Sequence, residues 1–203
     1  LIFNIMMYDL PGVIPESCNE VTFADDGTLY ASDRNLGKLV TVLNESLTNV
    51  EAWAAKWKLK VSEEKTEYTV ITNKRKHQTP LADLDLRMKD KKIKYNRNPK
   101  ILGLILDPKM TWKEHIDYLV ENCTKRLNMM KAISSQKWGA DFTSLRTFYV
   151  AFVRSKIAYA AEVWSSASKS QIRKLEKIQN KALRLITGAL RTTSIPALEV
   201  EAD

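Results

Sequence analysis

The apolar residues of this chain shift their prevailing spacing at Asp107-Pro108, and that shift restricts the fold more than any other feature. Before it, one helical stripe apart, apolar runs are short and bounded by turn residues. After it, three long stripes recur at intervals of three and four, the period of an amphipathic helix. The stripes are Ile116, Leu119, Val120, Cys123, Leu127 and Met130; then Phe142, Leu145, Tyr149, Phe152 and Ile157; then Ile172, Leu175, Ile178, Ala182 and Ile186. Gly139 and Gly188 stand where helix ends are expected. The reading is α+β over residues 1–108 followed by an all-α part over 109–203.

Within the first part, Val21, Phe23, Leu29 and Tyr30 flank Asp25-Asp26-Gly27, which predicts two short strands around a tight turn. Leu36, Leu39, Val40, Leu43, Leu47, Val50, Ala54 and Trp57 predict a helix, with Ser32 or Asp33 as its cap. Strands are expected at Leu59–Val61 and Tyr68–Ile71, with fragments at Leu84, Leu86 and Ile93 and a further run from Lys100 to Asp107. The five tryptophans (Trp53, Trp57, Trp112, Trp138, Trp164) fall on or near apolar stripes and read as core.

Composition removes several classes. Cys18 and Cys123 are too few for a disulfide framework and form no C-x-x-C zinc pair. His77 and His115 lack metal-ligand spacing, which argues against histidine-centred catalysis. No apolar run approaches the ~18 residues that cross a bilayer, and no membrane partner is expected. The opening run from Leu1 has no basic flank and makes a poor signal peptide. Because the chain begins inside that run, and ends on the acidic residues 199–203, it is expected to be a piece of something longer.

Charge is unevenly placed. Residues 1–71 carry 6 basic and 11 acidic residues, whereas residues 72–100 carry 10 basic and 3 acidic ones, and residues 169–191 carry 7 against 1. Two basic blocks behind an acidic third fit a surface that tracks phosphates, since Lys and Arg bind a polyanion by releasing its counterions. They also fit solvated faces, and charge alone does not decide between the two.

Asp25 and Asp26 concentrate negative charge at a turn. Magnesium takes one or two protein carboxylates and leaves positions for water and phosphate, and paired ions clamp both oxygens of a phosphoryl transfer. A solvated turn explains the dipeptide equally well. The neighbouring segments add more. Phe23-Ala24-Asp25-Asp26 resembles the F/Y-A-D-D box of reverse transcriptases, and Leu1-Ile-Phe-Asn-Ile-Met-Met-Tyr-Asp-Leu-Pro resembles the segment preceding it in non-LTR retrotransposon polymerases of the jockey type. Trp57-Lys-Leu-Lys-Val-Ser-Glu-Glu-Lys-Thr, Lys100-Ile-Leu-Gly-Leu-Ile-Leu-Asp and Thr111-Trp-Lys-Glu-His are similar to later segments of the same family, in the same order. Ala158-Tyr-Ala-Ala-Glu-Val-Trp and Gln179-Asn-Lys-Ala-Leu-Arg-Leu-Ile-Thr-Gly-Ala resemble its helical tail.

The resemblance implies a partial polymerase palm over residues 1–108, a small antiparallel sheet with a packed helix, and a thumb-like helical region over 109–203. It implies that Asp25 binds catalytic Mg2+ (or Mn2+), that Asp26 shapes the site with a less direct claim on the metal, and that Phe23 supports the hairpin. Lys65 matches a lysine that senses or protonates the leaving pyrophosphate; a plain surface lysine is the alternative. Leu102 and Gly103 fall in the strand expected to grip the primer end. Lys169, Arg173, Lys177, Lys181 and Arg184, broadened by Lys174, would face a duplex, with a solvated face as the alternative. The implied partners are an RNA template, a DNA primer, deoxynucleoside triphosphates and an upstream remainder of the retrotransposon polyprotein. Nuclear access with a cytoplasmic ribonucleoprotein stage is expected.

Tyr8 and Ser62 depart from the family's usual asparagines, both mildly. The family's first catalytic aspartate, its fingers and its P-Q-G segment have no counterpart here, so the isolated chain is expected to be inactive. The alternative function is a non-catalytic nucleic-acid-binding relic or domesticated fragment. An unrelated helical interaction protein is a third, weaker reading.

Overall fold

The computed structural model of the chain describes residues 2–74, 81–134 and 139–202. His77 and Trp138, and the basic residues Arg75 and Lys76, lie outside them. Contacts divide the chain into two compact units, Leu1–Arg97 and Asn98–Asp203. The hydrophobic pattern changes at Pro108, but the strand pair before it, at Lys100–Ile105, belongs with the helices that follow.

The first unit opens with α1 (Ile2–Met7) and a 3-10 turn at Pro11–Val13, then β1 (Asn19–Phe23), β2 (Asp26–Tyr30) and the long helix α2 (Leu36–Lys56). Short strands follow: β3 (Glu67–Tyr68), β4 (Arg87–Met88), β5 (Lys91–Lys92) and β6 (Lys94–Tyr95). β1 and β2 pair antiparallel, as do β4 and β5, while β3 and β6 pair in parallel.

α2 organises this unit because its apolar stripe serves two clusters. Leu36, Val40, Leu43 and Leu47 pack with Leu84, Leu86, Met88 and Ile93. One to two turns on, Val50, Trp53, Ala54 and Trp57 pack with Leu10, Val13 and Ile14. Each fully buried aliphatic side chain contributes about 1.5–3 kcal/mol. The cap differs from expectation: the Asn35 carboxamide oxygen accepts from the Gly37 and Lys38 amides at 2.9 and 3.4 Å. Asp33 instead accepts from the Asn35 amide at 2.6 Å, so it orients the cap rather than being it.

Polar side chains of α2 hold the neighbouring hairpin. Asn44 donates to the Asp85 carbonyl at 2.8 Å and accepts from the Arg87 amide at 3.0 Å, standing in for a strand partner. Glu51 accepts from the Lys89 amide at 2.7 Å. Leu59–Val61 is not a strand, because the Leu59 amide folds back to the Ala54 carbonyl to close the helix. The expected strand at Tyr68–Ile71 is confined to Glu67–Tyr68. Leu84, Leu86 and Ile93 are buried side chains flanking the short pairs.

The second unit begins with the antiparallel pair β7 (Lys100–Ile101) and β8 (Leu104–Ile105), followed by α3 (Lys113–Ile133) and α4 (Phe142–Phe148). A π-helical stretch, Tyr149–Arg154, continues into α5 (Ser155–Ala158); α6 (Ala161–Trp164), α7 (Lys169–Thr187) and α8 (Ile195–Ala202) complete it. α3 and α7 bury the expected stripes, including Ile116, Leu119, Cys123, Leu127 and Met130 against Leu175, Ile178, Ala182 and Ile186. Gly188 ends α7 at φ +65°, a conformation glycine adopts without a Cβ clash.

The second stripe departs from its pattern. Phe142 and Phe152 are exposed, and Val153 takes the fully buried place instead. A π turn takes more residues than an α turn, so the inward place after Tyr149 falls at Val153 rather than at Phe152. Trp53, Trp112 and Trp164 are buried and Trp57 is half-buried, as a core role requires. Among the described residues, no helix is long and apolar enough to cross a membrane.

Candidate functional site

The β1–β2 register places Phe23 opposite Asp26, so the two-residue loop is Ala24-Asp25. The turn sits one residue earlier than Asp25-Asp26-Gly27 suggested. It does so because Ala24 adopts φ +52°, a left-handed conformation that costs a residue with a Cβ about 1–2 kcal/mol. Strain of this kind marks positions that the surroundings over-determine. Ala24→Gly should therefore stabilise the first unit by up to about 1 kcal/mol, net of glycine's greater freedom in the unfolded chain; urea melts of the two proteins check this.

Asp25 and Asp26 are both exposed, and their carboxylates make no hydrogen bond or ion pair among the described residues. Strand alternation puts Asp26 on the same face as Val21, Phe23, Thr28 and Tyr30. Val21, Phe23 and Tyr30 are exposed, whereas Leu29 on the other face packs toward α2. No group of three His, Cys, Asp or Glu side chains gathers around a common point among the described residues. Two adjacent carboxylates free of partners still suit a hard divalent cation that retains water and phosphate ligands.

Lys65 lies in the same unit on a separate exposed turn and has no partner among the described residues. Its neighbour Glu63 is engaged, by Lys91 at 2.8 Å and Lys89 at 3.5 Å. Those contacts, the Lys91 hydrogen bond foremost, hold the Glu63 carboxyl below the usual carboxylate range.

Other segments that resemble the family turn out to be structural joints. Asp9 accepts hydrogen bonds from the indole N–H groups of Trp53 at 2.7 Å and Trp57 at 3.2 Å, with Lys56 Nζ at 3.7 Å. In the second unit, Asp107 accepts from the Lys109 amide (3.0 Å), the Thr111 hydroxyl (3.2 Å) and the Trp112 amide (2.7 Å). This organises a loop in which Met110 and Trp112 both have positive φ. His115 Nδ1 accepts from the Ile105 amide at 3.3 Å, tying β8 to α3. The spacing of Leu106-Asp107, Thr111-Trp112 and His115 carries that clamp, and its regularity was the signal that could have revealed it.

Burial, and then the nearby Lys156 and Lys100 ammoniums, lower the His115 pKa from its ordinary 6.5. Below pH 6.5 the unfolded chain gains a proton that the folded one resists. The stability tied to His115 is thus complete above 6.5 and is lost as pH falls toward the lowered folded value. Melting temperature should decline between pH 6.5 and 5 more steeply in the unaltered chain than in His115→Gln.

Leu102 and Gly103 form the two-residue turn of the β7–β8 hairpin, not a continuous strand, with φ +46° and +85°. The Tyr159 hydroxyl donates to the Leu102 carbonyl at 2.8 Å, and a Cβ on Gly103 would touch the Tyr159 ring at 3.4 Å. On α7, Lys169, Arg173, Lys177 and Lys181 are exposed and have no ion-pair partner among the described residues. Lys174 instead pairs with Asp117 on α3. Arg184 is half-buried and donates to the Asn180, Arg191 and Thr193 carbonyls at 3.1–3.4 Å, closing the turn into α8. Its guanidinium is engaged by protein.

The family model of "Reverse transcriptase (RNA-dependent DNA polymerase)" matches residues 1–119. The chain is 26% identical over 193 residues to a probable RNA-directed DNA polymerase from transposon BS of Drosophila melanogaster, covering 92% of this chain and 21% of that protein. It is 24% identical to the RNA-directed DNA polymerase from mobile element jockey of the same fly, covering 96% and 22%. A Pol polyprotein from the type-1 element R1 2 of Nasonia vitripennis is 23% identical, covering 98% and 49%. The chain thus spans about a fifth of the length of the first two relatives. No solved structure matches it. A match running through the F-A-D-D hairpin and over more than half of the sequence places this chain in the reverse transcriptase family.

Proposed function

We propose that the chain is the palm-to-thumb part of a non-LTR retrotransposon RNA-directed DNA polymerase, with residues 1–108 as palm and 109–203 as thumb. The observation that carries this is the exposed, unpartnered Asp25-Asp26 pair on a strained two-residue hairpin, inside the segment that matches the family. Asp25 and Asp26 would hold Mg2+ (or Mn2+), which when bound supplies charge neutralisation for nucleotidyl transfer from a deoxynucleoside triphosphate. Asp25, in the loop, offers its carboxylate with least obstruction. Asp26 adds negative charge beside it, and Phe23 flanks it across the pair. Lys65, with an unengaged ammonium, is positioned on its turn to give a proton or a charge contact to a departing pyrophosphate. The free ammonium and guanidinium groups of Lys169, Arg173, Lys177 and Lys181 would take phosphates of an RNA–DNA duplex.

Two carboxylates with no third acidic side chain gathered beside them among the described residues make half of a two-metal site. The 203-residue chain alone is accordingly inactive in this reading, and works within a retrotransposon polyprotein that has access to nuclear DNA and a cytoplasmic ribonucleoprotein stage. The test is Mg2+-dependent primer extension on an RNA template. It compares the 203 residues alone with the same residues joined to the preceding polymerase segment of a jockey-type relative. Extension only by the joined protein supports the reading. Failure of the joined protein, with RNA–DNA binding intact, favours the second reading, a non-catalytic binding fragment; the unpaired basic face of α7 is the observation behind that alternative.

A further inference from the structure

His115 is 1% exposed, yet only one of its two ring nitrogens has a hydrogen-bond partner among the described residues. Nδ1 accepts from the Ile105 amide at 3.3 Å, so the neutral ring carries its proton on Nε2. Rings surround it: the centroids of Trp112, Tyr118 and Trp164 each lie 6.4 Å from that of the imidazole.

The charges that act on this ring are both positive. They are Lys156 of α5 and Lys100 of β7, whose ammonium nitrogens lie 5.7 and 5.0 Å from the Tyr118 centroid. Lys100 also donates to the Tyr118 hydroxyl at 3.4 Å. On α3 itself, Asp117 is engaged by Lys174 of α7, and α6 contributes the Trp164 ring. A proton added to His115 enters at Nδ1, the atom that holds the Ile105 amide. Both ring nitrogens are then donors, and the amide faces an N–H in place of an acceptor. A third positive charge also arises beside two ammoniums in a buried place, where like charges repel most.

The segment held by this bond is short and tethered on either side. β7 and β8 pair over two residues each. The Tyr159 hydroxyl holds the Leu102 carbonyl at 2.8 Å, and the Leu106 amide donates to the Pro99 carbonyl at 3.0 Å. Between those points Leu104 and Leu106 pack into the cluster of Trp112, Ile116 and Trp164. The helices α3 and α7 are joined separately, through Cys123, Leu127, Ile178 and Ala182. A break at Ile105 therefore loosens the segment without parting the helices.

We propose that His115 is a proton-operated latch: neutral, it holds Leu104–Leu106 against α3, and protonated, it frees that segment while the helices stay packed. The latch belongs to the second unit and is independent of what the chain binds.

Amide hydrogen exchange followed by NMR tests it, on the 203-residue chain from pH 7.5 down to its acid unfolding. Results are expressed as protection factors, which removes the intrinsic pH dependence of exchange. Ile105 protection should fall by about tenfold, the worth of one hydrogen bond, as the His115 ring titrates. Leu119 and Cys123 of α3 should keep theirs. In His115→Asn, which offers a carboxamide oxygen near the Nδ1 position and does not titrate, Ile105 protection should stay level over the same range. Lys100→Gln/Lys156→Gln should move the fall to higher pH, because removing like charges eases protonation. Ile105 and Leu119 losing protection together would overturn the latch and leave His115 an ordinary acid-labile core residue. Ile105 protection that holds while the ring titrates would overturn it equally. Should His115→Asn fail to fold, the lysine variant decides: a fall that stays at its original pH overturns the proposal.

Discussion

Asp25→Asn, placed in the joined polymerase, should lower single-turnover primer extension by about a thousandfold, whereas Asp26→Asn should lower it by about tenfold. A carboxylate that binds a catalytic cation supplies several kcal/mol of charge stabilisation, and about 4 kcal/mol corresponds to three orders of magnitude. Asparagine keeps the size and turn preference of aspartate, so the hairpin should persist. The asymmetry follows from the register. Asp25 occupies the loop with its backbone free of strand pairing, whereas Asp26 is already the first residue of β2 and lies opposite Phe23. Equal losses would place both carboxylates on the metal; extension that survives Asp25→Asn would remove the metal assignment altogether.

The second large effect concerns stability. Asp107→Ala should destabilise the helical unit by about 3 kcal/mol, because it strands a buried Trp112 amide and removes two further donors' acceptor. Asp107→Asn, which can still accept, should cost clearly less. Burial works to raise the Asp107 carboxyl, but the backbone amides of Thr111, Trp112 and Lys109, with the Thr111 hydroxyl, outweigh it and hold it below the ordinary 3.8. The stability it contributes is therefore full above about pH 4 and is lost as pH falls through the lowered value. Urea melts at pH 7 and at pH 3 should show the gap between the unaltered chain and Asp107→Ala closing in acid.

Legibility from the sequence followed the range of the interactions. Helices α2, α3 and α7 were readable because each carries a sustained local period, and α7 also ends at a glycine. The β1–β2 hairpin was readable from turn chemistry, yet its loop was displaced by a residue. Nothing in a propensity for Asp-Gly predicts that an alanine will take positive φ. Leu102-Gly103 is the same lesson in the other hairpin, where an apolar run read as one strand is folded back on itself. The cap at Asn35 was missed because Ser32 and Asp33 are equally good cap residues, and only the packing of α2 chooses among them. Arg184 belongs to the basic period of α7, but carbonyls from the following turn converge on it, and no periodicity encodes that. Asp9 and Asn44 act across 44 and 41 residues of sequence, so their partners could be found only in the fold.

Asp9 carries a consequence for spectroscopy. Two indoles that share one carboxylate emit into a local field set by that carboxylate's charge, so Trp53 and Trp57 form a built-in fluorescent gauge of the first unit. The indole N–H groups of Trp112 and Trp164 donate instead to neutral oxygens, of Ser166 and Tyr159. Acid that neutralises Asp9 should shift the emission of the first pair, and Asp9→Asn should mimic that shift at neutral pH. The acid-dependent part of the emission thus reports on the first unit without any attached label.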